Sequence, residues 1–263
     1  MAWKLHRPHR VPMMDVINRR LYGRNLVQRY AGLHELTPAE RTVVERYRAD
    51  CADRRVLELG CGAGRLADRL ISLTSTYQGV DISPHMIAHC QAHFPGVRFA
   101  VGDMRQLDMA PASIDTVFAV ANLIDAVDHD DRLRVLAGIH AVLVPGGLFV
   151  FSTHNRRWRE AGSGPRLDLA QGRVIRQLRD YAVARRNRER ILPYVRATQE
   201  YALLNDAGHS YSLLHYYIDR TAQARQVEAA GFRLLEVIDE HGATLAEGDD
   251  ARDSSSLTYV ARR

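Results

Sequence analysis

The chain has 263 residues, 46% hydrophobic and 25% charged, long enough to bury a full hydrophobic core without disulfides or a structural metal. Its three cysteines, Cys51, Cys61 and Cys90, show no C-x-x-C spacing, which argues against a zinc site and for a reducing compartment. The net charge of +5 is uneven: residues 1–30 hold seven Lys/Arg against one acid, residues 155–200 hold twelve Arg against five acids, and the remainder is acidic.

The N-terminal stretch has no apolar h-region of a secretory signal. The longest apolar run, residues 116–127, is too short to cross a bilayer. A soluble, cytoplasmic protein with no membrane partner is expected. Residues 12–30 predict an amphipathic helical arm. Thr37-Pro38-Ala39-Glu40 is a helix start, with a Thr N-cap, Pro at N1 and Glu at N3. A short apolar run at 55–59 predicts a buried strand that stops at Gly60-Cys61-Gly62-Ala63-Gly64 and turns into a helix over 65–72. A second strand over 76–80 ends at Asp81, and Ser83-Pro84 caps a helix reaching about residue 93. Strands follow at 97–101 and 114–121, then a helix over 130–143 stopped by Pro145-Gly146-Gly147, then a fifth strand over 148–152.

This alternation argues for a parallel sheet covered on both faces by helices. It breaks near residue 155 and resumes with a helix over 221–230, a strand over 233–239 and a closing strand over 256–261. Residues 155–212 therefore read as an insertion over the carboxyl edge of the sheet, where open α/β sheets bind ligands.

Three strand ends carry the chemistry. Glycines after a buried strand let the backbone approach a ligand closely. The run here is G-x-G-x-G preceded by Glu58, not the G-x-G-x-x-G of dinucleotide-binding proteins. Asp81 ends the second strand, where a carboxylate can receive both hydroxyls of an adenosine ribose. Asp103, in Val101-Gly102-Asp103-Met104, ends the third, where it can receive an adenine amino group.

Together these stretches resemble the class I S-adenosylmethionine-dependent methyltransferases. The family's first motif is matched by Leu57-Glu58-Leu59-Gly60-Cys61-Gly62-Ala63-Gly64, its ribose acid by Asp81, its adenine motif by Gly102-Asp103-Met104, and its fourth motif by residues 114–122. Residues 143–151 match the turn into its fifth strand. The resemblance is strong over 35–154 and looser over 215–263. It implies an α/β, Rossmann-like fold with a seven-stranded, mostly parallel sheet whose last strand is antiparallel. It further implies an N-terminal helical arm (1–34) over the cofactor, a core (35–154 and 213–263) and an inserted acceptor lid (155–212). The implied cofactor is S-adenosyl-L-methionine, with S-adenosyl-L-homocysteine as product. Implied contacts are Tyr22 and Tyr30 from the arm, then Glu58, Gly60, Cys61, Gly62, Asp81, Ile82, Met86, Asp103, Met104 and Ala119. Arg24 and Arg29 are candidates for the methionine carboxylate.

Methyl transfer is an in-line displacement, so the acceptor must sit over the ends of the fourth and fifth strands. His154 and Asn155 after the fifth strand, Asn122 and Asp125 after the fourth, and His215 with Tyr216 and Tyr217 re-entering from the insertion are the catalytic candidates. His129, between Asp128 and Asp130, reads as a helix-start cluster, and no metal is expected. Arg173, Arg176 and Arg179 recur at helical spacing and suggest a clamp for an anionic acceptor; a solvated face in a chain with 35 arginines and one lysine is the plainer explanation. The leading expectation is methyl transfer to an O or N atom of a small-molecule acceptor. The alternative is an RNA methyltransferase using the basic flanks, although no RNA-binding module is visible.

Overall fold

In a computed structural model the structure describes residues 13–18, 27, 30–32, 35–167 and 174–263. Tyr22, Arg24, Arg29 and Arg173 lie outside the described residues. After a short helix α1 (Met13–Asn18), the capping box opens α2 (Pro38–Arg46): Thr37 accepts from the Glu40 N–H, and the Glu40 side chain accepts from the Thr37 N–H. Helix α3 (Arg48–Cys51) leads into the first strand.

Five parallel strands form the heart of the sheet: β1 (Val56–Leu59), β2 (Tyr77–Asp81), β3 (Arg98–Val101), β4 (Ile114–Ala119) and β5 (Leu143–Asn155). Helices α4 (Ala67–Ile71), α5 (Pro84–His93) and α6 (His129–Val142) connect them. Beyond the insertion come β8 (His215–Ile218), α8 (Arg220–Ala229), β9 (Arg233–Ile238) and β10 (Ser256–Arg262). Strand β10 runs antiparallel between β5 and β9. The core order is thus β3-β2-β1-β4-β5-β10-β9, seven strands with one reversed.

Among the described residues the sheet holds ten strands rather than seven. Residues 155–212 contain helix α7 (Val174–Ile191), β6 (Arg196–Ala197) and β7 (Tyr201–Leu204), and these strands extend the sheet. Strand β8 pairs parallel with the tip of β5 through His154↔Tyr217 and Asn155↔Ile218, and β7 and β6 follow antiparallel. Strand β5 also runs longer than its apolar centre: β4 lies along one edge up to Phe151, β10 along the other from Leu148 to His154, and β8 pairs with its tip at His154 and Asn155. Residues 145–147 lie within that strand, where the β4–β5 register shifts.

Two hydrophobic cores cover the two faces. One packs Val135, Leu136 and Ile139 of α6 and Val227 of α8 on Phe149, Phe151 and Tyr259; the other packs Val43, Leu70 and Ile87 on Val56, Phe118 and Val150. A third cluster joins Met14 of α1 to Leu203, Leu214, Tyr216 and Ile218. Asn18 fixes that junction, donating to the carbonyls of Ala126 and Leu214 at 3.1 Å. In α7 only Ala184 is buried, so its sequence shows little of the apolar periodicity that burial imposes.

Candidate active site

The loop after β1 is built on left-handed backbone: Gly60, Gly62 and Gly64 have φ of 64°, 53° and 90°. At Gly60 a Cβ would collide with a methyl carbon of Leu123, so the glycine also makes room for the turn after β4. Asp81 clamps the loop to the start of α5. One carboxylate oxygen accepts from the Gly62 N–H at 2.9 Å and the other from the Ser83 N–H at 2.8 Å. Burial raises its pKa, against the lowering effect of those two donors. Each oxygen keeps a lone pair, so the group can still receive two hydroxyls.

A cleft at the carboxyl edge is lined by Gly60, Asp81, Ile82, Asp103, Met104 and Leu123, with Asn18 of α1 and Ala126 closing it. Asp103 is held by Arg105, which reaches on to Asp131 at 3.0 Å. Glu58, Cys61, Gly62, Met86 and Ala119 do not line this cleft. Glu58, Cys61, Met86 and Ala119 are buried. Glu58 accepts from the Tyr77 hydroxyl at 2.6 Å, and burial pushes its carboxyl up to about 8. Tyr30 is half-buried and outside the lining. A larger hollow of about 680 Å³ lies at the amino ends of the strands, among Arg55, Thr76 and Arg98, away from every strand-end motif.

The acceptor-side candidates converge on one carboxylate. Residues Leu123–Ala126 form a single 3-10 turn after Ala121 and Asn122, both left-handed at φ 55°. Leu123 and Ala126 face the cleft, while Asp125, fully buried between them, holds His154. Its Oδ2 accepts from the His154 backbone N–H at 2.6 Å and pairs with Nδ1 at 2.7 Å; Oδ1 accepts from the Thr153 hydroxyl at 2.6 Å and from Arg132. Burial by itself would raise the Asp125 pKa. Arg132 and His154 outweigh it and lower it, so the group is ionised. An ionised carboxylate only accepts, so Nδ1 carries a hydrogen and Nε2 is the ring nitrogen left to face outward and exchange a proton.

Arg132 is the buried counterion. It is fully buried, bonds Gln223 and Gln226 of α8 as well as Asp125, and stacks on Tyr216 with its guanidinium carbon 4.4 Å from the ring centroid.

A second carboxylate arrives from the insertion. Asp206 pairs with His215 Nδ1 at 2.7 Å and accepts from the Tyr217 hydroxyl at 2.8 Å and the Gly208 N–H at 2.7 Å. Burial would raise its pKa; His215, His154 and Tyr217 hold it well below the usual carboxylate range. The His154 ring stacks between His215 (centroids 4.9 Å) and Tyr217 (4.8 Å). His154, Asp206 and His215 are a metal-type donor set within 4.8 Å of one another. The His154 and His215 ring planes lie 22° apart.

Asn155 has no part in this cluster. Its amide is buried, donates to the carbonyls of Asp250, Ala251 and Ser254, and anchors the loop before β10. His129 starts α6, with Nδ1 2.8 Å from the Tyr216 hydroxyl and its ring stacked on Tyr201. Arg132 and Asp206 were not singled out from the sequence. Asp206-Ala207-Gly208 announces a turn but not which side chains it meets.

A model of the methyltransferase domain matches residues 56–147. Over 115 residues, 43% of each chain, the protein is 34% identical to a probable S-adenosylmethionine-dependent methyltransferase from Mycolicibacterium smegmatis. Over residues 56–147 the chain thus matches the methyltransferase domain, and it is similar there to S-adenosylmethionine-dependent methyltransferases. It is also 28% identical over 155 residues to a ubiquinone biosynthesis O-methyltransferase from Paraburkholderia phymatum, covering 57% of this chain and 64% of that one. The chain spans about half the length of the curated relatives it matches. In fold it is similar to the CcbJ methyltransferase of Streptomyces caelestis, with a TM-score of 0.63 and 20% identity over 92% of this chain and 97% of that one. The matched domain contains the glycine loop, Asp81, Asp103 and Asp125, and stops short of His154, Asp206 and His215.

Proposed function

We propose that the protein transfers the methyl group of S-adenosyl-L-methionine to an O or N atom of a small-molecule acceptor at the carboxyl ends of β4 and β5. One observation carries the reading: a single turn, Leu123–Ala126, lines the cofactor cleft with two side chains and orients His154 with a third. Cofactor and acceptor-facing base are thereby held by the same four residues.

When bound, S-adenosyl-L-methionine supplies an activated methyl on a sulfonium. Asp81 would receive the ribose hydroxyls, and Asp103 with Met104 would flank the adenine. His154 Nε2, freed by the Asp125–Nδ1 bond, takes the acceptor's proton. A small-molecule acceptor fits an edge whose described groups are Asp125, His154, Asp206, His215 and Tyr217, a compact polar cluster without a basic track for phosphates.

Calorimetry tests the cofactor half. The protein should bind S-adenosyl-L-homocysteine in the micromolar range (roughly −8 kcal/mol), and Asp81→Ala should weaken that by about 1–3 kcal/mol, the worth of hydrogen bonds to a charged group. His154→Gln should keep that affinity while losing about 10²–10⁴-fold in turnover, the scale of general-base catalysis. Unchanged turnover would remove His154 as the base.

A further inference from the structure

Helix α5 carries three histidines at a metal-ligand spacing, away from the cofactor cleft. We propose that His89 and His93, with His85 one turn earlier, form a surface site for a divalent transition-metal ion of the imidazole-preferring kind. The site runs against the sequence-based expectation of no metal.

The three histidines recur at i, i+4 and i+8 of a ten-residue helix. Residues four apart on a helix lie one above the other, with Cβ atoms about 5–6 Å apart. Two histidines at that spacing on one helical face are a recurrent zinc-binding pair. The helix buries Met86, Ile87 and Cys90, and the histidine stripe runs beside that buried face. His85 and His93 are exposed and His89 is half-buried.

The fold brings the last two together. The His89 and His93 rings lie with centroids 4.5 Å apart and planes 26° apart. An ion with metal–nitrogen bonds of about 2.0–2.1 Å holds two nitrogens about 2.8–3.4 Å from each other. Stacked rings do not aim their in-plane lone pairs at one point, so binding turns them edge-on. That turn costs little here. The last torsion of a histidine side chain has broad wells, and among the described residues the rings of His85, His89 and His93 have no hydrogen bond or ion pair to break. At the acceptor rim, by contrast, His154 and His215 are each held at Nδ1 by a carboxylate.

The backbone spacing is fixed before any ion arrives. The start of α5 is pinned by the Ser83 N–H on Asp81, and Cys90 on its inner side donates to the Gly62 carbonyl at 3.2 Å. A pre-ordered pair of ligands loses less freedom on binding than a mobile one.

The donor set selects the ion. Helix α5 contains no carboxylate. Imidazole suits copper, nickel and zinc, whereas magnesium and calcium require oxygen donors. Affinity at such a site peaks at copper, with nickel and zinc weaker.

The untagged full chain should be titrated by calorimetry with copper(II), nickel(II) and zinc chloride, and with magnesium and calcium chloride as controls. The imidazole C–H signals are followed by NMR during nickel addition, since a paramagnetic ion broadens the rings that hold it. Saturable binding of one ion per chain, tightest for copper, is expected, with no response to magnesium or calcium and with His89 and His93 broadened first. His89→Ala and His93→Ala should each weaken binding by about tenfold or more, because a single ligand then replaces a linked pair. His85→Ala should have a smaller effect, and His154→Gln none. No saturable binding, binding that survives the double variant His89→Ala/His93→Ala, equal binding of magnesium, or loss of binding in His154→Gln would each overturn the proposal. Every readout is independent of methyl transfer.

Discussion

Glu58 shows how one side chain can be placed by the sequence and still be misjudged. Its position before the glycines is fixed by the strand, but its environment depends on Tyr77, a residue of the neighbouring strand. Buried with that hydroxyl, it keeps its proton to about pH 8. The unfolded chain loses the same proton near 4.5. Between those values the unfolded state binds fewer protons than the folded one, so this residue makes stability fall as pH rises, by about 1.4 kcal/mol per unit. Asp125 acts in the opposite sense: its lowered pKa contributes stability above the unfolded carboxyl value, lost as pH falls through the folded one. Urea melts of Glu58→Gln from pH 5 to 9 should lack the downward component and show the variant gaining on the parent toward pH 8. A parallel pair of curves would mean that Glu58 is ionised in the fold.

At the scale of elements, the turn after β4 ties the sheet to two helices through one ion pair. Asp125 and Arg132 are both fully buried, and Arg132 also bonds Thr153, Gln223 and Gln226. Removing one partner leaves the other charge buried and uncompensated, which costs about 3–5 kcal/mol. Asp125→Ala should therefore lower stability by that amount in denaturant unfolding, whereas His154→Gln, at the part-exposed end of the network, should cost far less. The elements themselves were largely legible in the sequence. The capping box at Thr37, the glycine turn after β1 and the Ser83-Pro84 start of α5 are local signals, readable within four or five residues. Asp125 stood out for the same reason, next to a strand end. Arg132 did not, because a helix arginine looks solvated until α8 is packed over it. Asp206 lay in a polar stretch without periodicity, and its role exists only once β8 pairs with the tip of β5.

For the whole molecule, residues 174–218 hold two structures with different tasks. Strand β8 and the turn that precedes it bring His215, Tyr217 and Asp206 to the rim, and β7 with β8 seats α1. Helix α7 leaves Arg176 and Arg179 exposed, while its Arg188 bonds the carbonyls of Gly162, Ser163 and Asn205. Replacing Arg176 and Arg179 by Ser should accordingly leave cofactor affinity and acceptor KM within about twofold, since exposed charges are screened over about 8–10 Å at physiological ionic strength. A KM that rises with the double variant, and more steeply at low salt, would return α7 to the acceptor site.

The position of β10 has a consequence for how the protein is made. Strand β5 finds one neighbour, β4, soon after it is synthesised, but its other long neighbour is built from residues 256–262. Until those residues leave the ribosome, the inner edges of β5 and β9 have no partner, although Leu257, Tyr259 and Val260 will become fully buried there. An open, apolar strand edge invites pairing with other chains. A stop codon placed before residue 256 should therefore shift the product from the soluble fraction into aggregates even though every residue named in the candidate site has already been translated.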